Sequence, residues 1–177
     1  MTSQNPSETV EPRADRPYMP GYGVVDANSG KGLLPWNWAA ERLAKAHNYW
    51  LSTTRSDGRP HCMPVWGVWI EGMFVFSTGS RSRKARNLAE NPYCVVSPER
   101  IEEAASPEEA VILEGVAEQT TDPVLFRQFA DAYKAKYNWD IETMDPNESP
   151  IFLVRPRVAF GFTAGLPEIA TRWTWDS

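Results

Sequence analysis

The chain has 177 residues, 42% hydrophobic and 23% charged, enough for a globular domain with a sizeable core. Its net charge of −5 and pI of about 5.1 leave no protein-wide positive field to hold DNA, RNA or an anionic membrane. There is no run of about 18 apolar residues to span a bilayer, and residues 1–20 lack the apolar stretch of a signal peptide, so a cytoplasmic location is expected.

Residues 1–30 are read as a flexible or wrapping arm, because their opening stretch is rich in Pro, Glu, Ser and Thr; a single domain over 31–177 follows. Leu34, Trp36, Trp38, Leu43 and His47 recur at helical spacing, which predicts an amphipathic helix over 34–48 with Pro35 tolerated at its start. Two β-rich runs, 49–54 and 61–70, flank the pair Asp57-Gly58, a strong hairpin signal. The turn Glu71-Gly72 then leads to a strand over 73–78, so three strands in a meander are predicted. A helix over 82–91 and strands over 93–97 and 111–121 come next, the last two separated by an acidic surface loop. Asp122-Pro123 caps a helix running to Tyr137, with Val124, Leu125, Phe129, Ala132 and Tyr133 on its buried side. Strands over 151–154 and 158–163 complete the count. Many short strands, few helices and tight turns predict a mainly β fold with flanking helices, a closed or partly closed antiparallel barrel of six or seven strands.

Most catalytic signatures are missing. Cys62 and Cys94 lie outside any CxxC spacing and read as buried apolar thiols. Only His47 and His61 are present, with no HExxH, so no metal site is expected. There is no GxSxG elbow, and no GxGxxG follows a strand; His61 reads as the start of a strand.

One cluster stands out. Arg81, Arg83, Lys84 and Arg86 place four cations where the strand 73–78 turns into the helix 82–91. The first turn of a helix already carries unpaired N–H groups and a partial positive charge, so cations there call for an anion as partner. Ser77, Thr78, Ser80 and Ser82 add hydroxyl donors, and a phosphate fits the set. Upstream, Pro64 and Gly67 mark a strand that is either at an edge or open to close approach by something flat, with Trp66 and Trp69 flanking the gap. An anion cradle and aromatic walls without an acid, base or nucleophile point to a cofactor that brings its own chemistry; no catalytic residue is assigned.

The ordered set Gly58-Arg59-Pro60-His61-Cys62-Met63-Pro64-Val65-Trp66, then Phe76-Ser77-Thr78-Gly79-Ser80-Arg81-Ser82-Arg83-Lys84-Ala85-Arg86-Asn87-Leu88 and Asn91-Pro92, resembles the split-barrel flavin-binding superfamily of pyridoxamine 5′-phosphate oxidase. More narrowly, it is similar to the flavin/deazaflavin oxidoreductases of that superfamily, over residues 34–162. The resemblance implies a split barrel that forms a homodimer, with a cofactor in each of two grooves at the interface. By position, Ser82, Arg83 and Lys84 would hold the cofactor phosphate, Ser77 and Thr78 would assist, and Met63, Pro64, Val65 and Trp66 would line the ring. The C-terminal substrate segment of true pyridoxamine phosphate oxidases is not found; the chain ends in Arg172-Trp173-Thr174-Trp175 and two further residues, so a reductase is preferred. The resemblance favours hydride transfer between the deazaflavin coenzyme F420 and a small unsaturated or conjugated substrate, with Arg81 and Arg86 meeting the acidic tail of the coenzyme. FMN is the alternative cofactor, and a non-catalytic flavin or haem carrier the alternative class.

Overall fold

The computed structural model describes residues 11–26, 32–100, 109–164 and 167–176. In chain order they form β1 (Arg13–Asp15), a 3-10 turn (Pro20–Tyr22), α1 (Trp36–Lys45), β2 (Tyr49–Thr54), β3 (Pro60–Val65), β4 (Gly67–Ile70), β5 (Met73–Ser77), α2 (Arg83–Glu90), β6 (Tyr93–Pro98), β7 (Ala110–Thr120), α3 (Pro123–Tyr137), β8 (Ile151–Phe162) and β9 (Thr171–Thr174). Every strand ladder is antiparallel.

Seven strands follow one another around a barrel in the order β3, β2, β6, β7, β8, β5, β4, and no ladder joins β4 back to β3. That missing ladder is the split. The chain crosses it at one residue, Trp66, between the end of β3 and the start of β4. Beyond the barrel, the second half of β8 also pairs with β9, and β9 with β1, which extends the sheet.

Alternation along each strand sets the inside. Tyr49, Leu51, Phe74, Phe76, Val96, Leu113, Val154 and Trp173 are fully buried there. A second cluster sits outside the barrel wall, where Leu125, Phe129 and Ala130 of α3 pack on Val68, Val75, Ile151 and Leu153 of β4, β5 and β8. Asp122 caps α3 by accepting from Val124 N–H at 2.9 Å, and Asn138 ends it in the left-handed region at φ 53°.

The split barrel and its flanking helices agree with the architecture read from the sequence. Several elements differ in detail. The predicted strand 61–70 is two strands on opposite edges of the split, so β2 to β5 form two hairpins and not a continuous meander. The predicted strands 151–154 and 158–163 are the single strand β8: at a bulge opposite Glu114 and Gly115 the register with β7 steps from Pro156 to Val158, which lets Pro156 stay in the ladder. Strands β1 and β9 bring the total among the described residues to nine against the six or seven expected. Val124, placed on the buried side of α3, is exposed because it sits in the first turn beyond the edge of the sheet. His47 falls after α1, which ends at Lys45. Cys94 is buried as expected, its thiol pushed up to about 12 by burial, but Cys62 is exposed on β3 because edge position leaves its side of the strand uncovered. Of the arm over 1–30, residues 1–10 and 27–30 lie outside the described residues, as do residues 101–108 of the acidic loop.

Candidate functional site

β3 is a sheet edge, which explains how it tolerates Pro60 and Pro64. Cross-strand partners share a face, so His61, Met63 and Val65, opposite Thr53, Leu51 and Tyr49, point to the inside. Val65 is buried, yet Met63 is 45% exposed although its partner Leu51 is fully buried. Inward-facing but open, Met63 marks where the split exposes the barrel wall. Pro64 faces the other way, beside Trp50. The four residues expected to line a ring therefore divide: Met63 and Val65 share one face, Pro64 lies on the opposite face, and Trp66 stands past the end of the strand.

One end of this seam is strongly cationic. Ser82 is the N-cap of α2, its Oγ accepting from Ala85 N–H at 3.2 Å, so Arg83 and Lys84 occupy the first turn. Thr78 Oγ1 donates to Ser82 Oγ at 3.2 Å, which ties the end of β5 to the cap. Ser77 is committed elsewhere: its hydroxyl donates to the Ser149 carbonyl at 3.0 Å and anchors the loop before β8. Among the described residues, none of Arg55, Arg81, Arg83, Lys84 and Arg86 has a carboxylate within ion-pairing distance. Asp57, the nearest candidate by sequence, is taken by Arg59 at 2.7 Å.

His61 sits among these cations. Burial, then the charges of Arg55, Lys84 and Arg83, hold its ring below the ordinary histidine value. Burial likewise lowers Lys84. Behind them, Asn87 Nδ2 donates to the buried Thr53 Oγ1 at 2.9 Å, joining α2 to β2. Two polar atoms here have no solvent exposure and no hydrogen-bond partner, His61 Nδ1 and Arg55 Nε. Buried polar atoms are ordinarily satisfied, so orphans beside unpaired cations fit an anion with several acceptor oxygens. Ser82, Arg83 and Lys84 were singled out in the sequence, whereas Arg55, His61 and Asn87, which the structure brings beside them, were not. The Asp57-Gly58 hairpin carried a usable signal, since its register sets His61 opposite Thr53, and Asn87 lies one helical turn beyond Lys84.

The other end of the seam is aromatic. Trp66 stacks on Tyr137 with centroids 4.8 Å apart and planes 4° from parallel, His47 stands edge-on to both rings, and Trp66 Nε1 donates to Asn48 Oδ1 at 2.9 Å. Trp66 lies five residue steps along the extended chain from His61, roughly 16 Å. On the far side of α2 a separate cleft of about 400 Å³ is lined by Arg86, Ser80, Gln119, Asn147 and Phe152, among others. Arg86 thus faces away from the seam.

An antiparallel barrel split along one seam, with a cationic cradle at one end and an aromatic wall at the other, defines a split-barrel protein. The chain belongs to the pyridoxamine 5′-phosphate oxidase family, whose model matches residues 38–159. No curated protein matches the chain. Solved structures match in fold. A conserved hypothetical protein from Mycobacterium tuberculosis is 22% identical, over 77% of this chain and 91% of its own, with a TM-score of 0.65. A structure titled F420 reductase is also 22% identical, over 67% of this chain and 93% of its own, with a TM-score of 0.55. HutZ, a haem storage protein from Vibrio cholerae, is 19% identical over 71% and 93%, with a TM-score of 0.58. No described helix is long and apolar enough to cross a membrane.

Proposed function

We propose that the chain is an oxidoreductase that binds coenzyme F420 along the seam and transfers a hydride between it and a small unsaturated or conjugated substrate. The observation that carries this reading is the pair of orphaned atoms, His61 Nδ1 and Arg55 Nε, beside the unpaired Arg83 and Lys84 at the capped start of α2. These groups suit a phosphate; Ser82 and Thr78 add hydroxyls, with Ser77 acting only through the loop it anchors. Met63 then offers an apolar floor to a flat ring, with the buried Val65 packed behind it, and Trp66 closes the far end. Pro64 contributes by holding the strand extended at the edge of the sheet.

When bound, a reduced deazaflavin supplies the hydride. The residues of the chain would hold the phosphate at Ser82, Arg83 and Lys84, offer Met63 to the ring and exclude water from it. FMN is the competing ligand, because its phosphate suits the same cradle. A parallel titration of apo-protein with F420 and FMN separates them: tighter binding of F420, with reoxidation of the reduced coenzyme by an enone or similar acceptor, is expected. Tighter binding of FMN reverses the cofactor assignment, and binding without turnover of any acceptor makes the protein a carrier.

We infer further that the protein works as a homodimer. The outer face of β3, β2 and β6 carries Trp50, Pro64 and Tyr93 in the open, with no described helix over them, a surface suited to a second copy.

A further inference from the structure

The backbone at the split is satisfied in a way neither strand accounts for. Gly67 is paired with Phe76 of β5, yet its amide and carbonyl both find partners on α3. Gly67 N–H donates to Tyr137 Oη at 3.0 Å. The Gly67 carbonyl accepts from Lys136 Nζ at 3.0 Å and lies 2.8 Å from Tyr137 Oη, which has the His47 carbonyl as a second acceptor at 2.8 Å. Lys136 Nζ also donates to Tyr49 Oη at 2.6 Å and lies 4.6 Å from the centroid of that ring. The last turn of α3 thus occupies the free edge of β4, where a neighbouring strand would otherwise dock.

We propose that Lys136 and Tyr137 are positioning residues of the seam: by taking the backbone groups of Gly67 that no strand takes, they hold β4 away from β3 and fix Trp66 as the end wall of the ring site. The second half of this statement rests on the ring site proposed above. Trp66 is gripped on one side by the stacked Tyr137 ring and on the other by Asn48. Position 67 must be glycine for β4 to lie this close to β5, since an added Cβ would collide with the Phe74 ring and the Val75 carbonyl.

The clasp is also sensitive to protons. Burial brings the Lys136 amine down to about 8, and no described carboxylate pairs with it. The groups facing it are Tyr49 from β2, Tyr133 and Tyr137 from α3 and, beyond Tyr137, His47 from the segment before β2. Burial raises all three phenols, so they stay neutral while Lys136 loses its charge. An uncharged amine donates more weakly and no longer attracts the Tyr49 ring, so the clasp loosens as pH rises through about 8.

The test reads tryptophan emission without any cofactor, from about pH 6.5 to about pH 9.5. The wild-type protein is expected to show an emission transition near pH 8 that disappears in Trp66→Phe, which removes the reporter, and in Lys136→Arg, which keeps its charge throughout. Lys136→Met should resemble the alkaline form of the wild type already at neutral pH, and circular dichroism verifies that both Lys136 variants are folded. A transition that persists unchanged in folded Lys136→Arg, or none in the wild type, overturns the clasp. F420 affinity is then measured on the same proteins. A loss of about tenfold in Lys136→Met places the clasp behind the ring site. Unchanged affinity alongside the expected emission changes keeps the clasp and removes the ring from Trp66.

Discussion

Around His61, the residues that crowd the ring are the ones an anion would relieve. The ring resists protonation in the folded chain, whereas in the unfolded chain it titrates near its ordinary value of about 6.5. Below that pH the unfolded state binds more protons, so His61 makes the protein lose stability as pH falls through about 6.5 toward the lowered folded value. Melting curves of apo-protein between about pH 5 and pH 7.5 should therefore fall less steeply for His61→Asn than for the wild type. Parallel curves for the two would mean that neither burial nor the neighbouring cations hold the ring below its ordinary value. Lys84 lends itself to a binding test: Lys84→Ala should weaken cofactor binding by about 1 to 3 kcal/mol, the ordinary worth of a charge-assisted hydrogen bond. Parallel isotherms for mutant and wild type would return Lys84 to the surface. Arg83 and Lys84 were legible because a cation in the first turn of a helix breaks a local rule. Arg55 and His61 were not, since each reads locally as an ordinary residue beside a hairpin, and only the pairing of β2 with β3 brings them to the start of α2.

Elements bounded by local chemistry were easiest to read: the Asp57-Gly58 hairpin, the turn at Glu71-Gly72 with both residues at positive φ, and the capped starts of α2 and α3. Elements bounded by tertiary contacts were harder. Apolar character runs unbroken from Val65 to Ile70, and nothing local says that Trp66 leaves one edge of the sheet for the other. The reverse held at β8, where Arg155, Pro156 and Arg157 look like a break and a bulge carries the ladder through. β9 escaped notice because it packs Trp173 into the barrel from a segment too short to show a period. Gly67 gives the split a direct test. Gly67→Ala should destabilise the protein by about 1 to 3 kcal/mol in denaturant titration, the range for overpacking a rigid site. A neutral result would mean that Phe74 moves aside freely and that the start of β4 is less constrained than its packing implies.

For the molecule as a whole, the split leaves one barrel with a seam that is walled at both ends and open along its length, an arrangement a second copy would complete. Light scattering at micromolar concentration should return about twice the 20.0 kDa chain mass, and Trp50→Asp on the exposed outer face should shift it toward a single chain. A wild-type protein that scatters as a monomer would remove the shared groove. In the proposed reading, the cradle at α2 and the seam along β3 form one cofactor site. It is tested most directly by titrating wild-type, Lys84→Ala and Trp66→Phe proteins with F420 while recording tryptophan emission. Expected are quenching on binding in the wild type, binding weakened about fivefold or more in Lys84→Ala, and near-normal affinity with most of the quenching lost in Trp66→Phe. Tight binding that ignores Lys84 and quenches fully without Trp66 would place the cofactor elsewhere and contradict it.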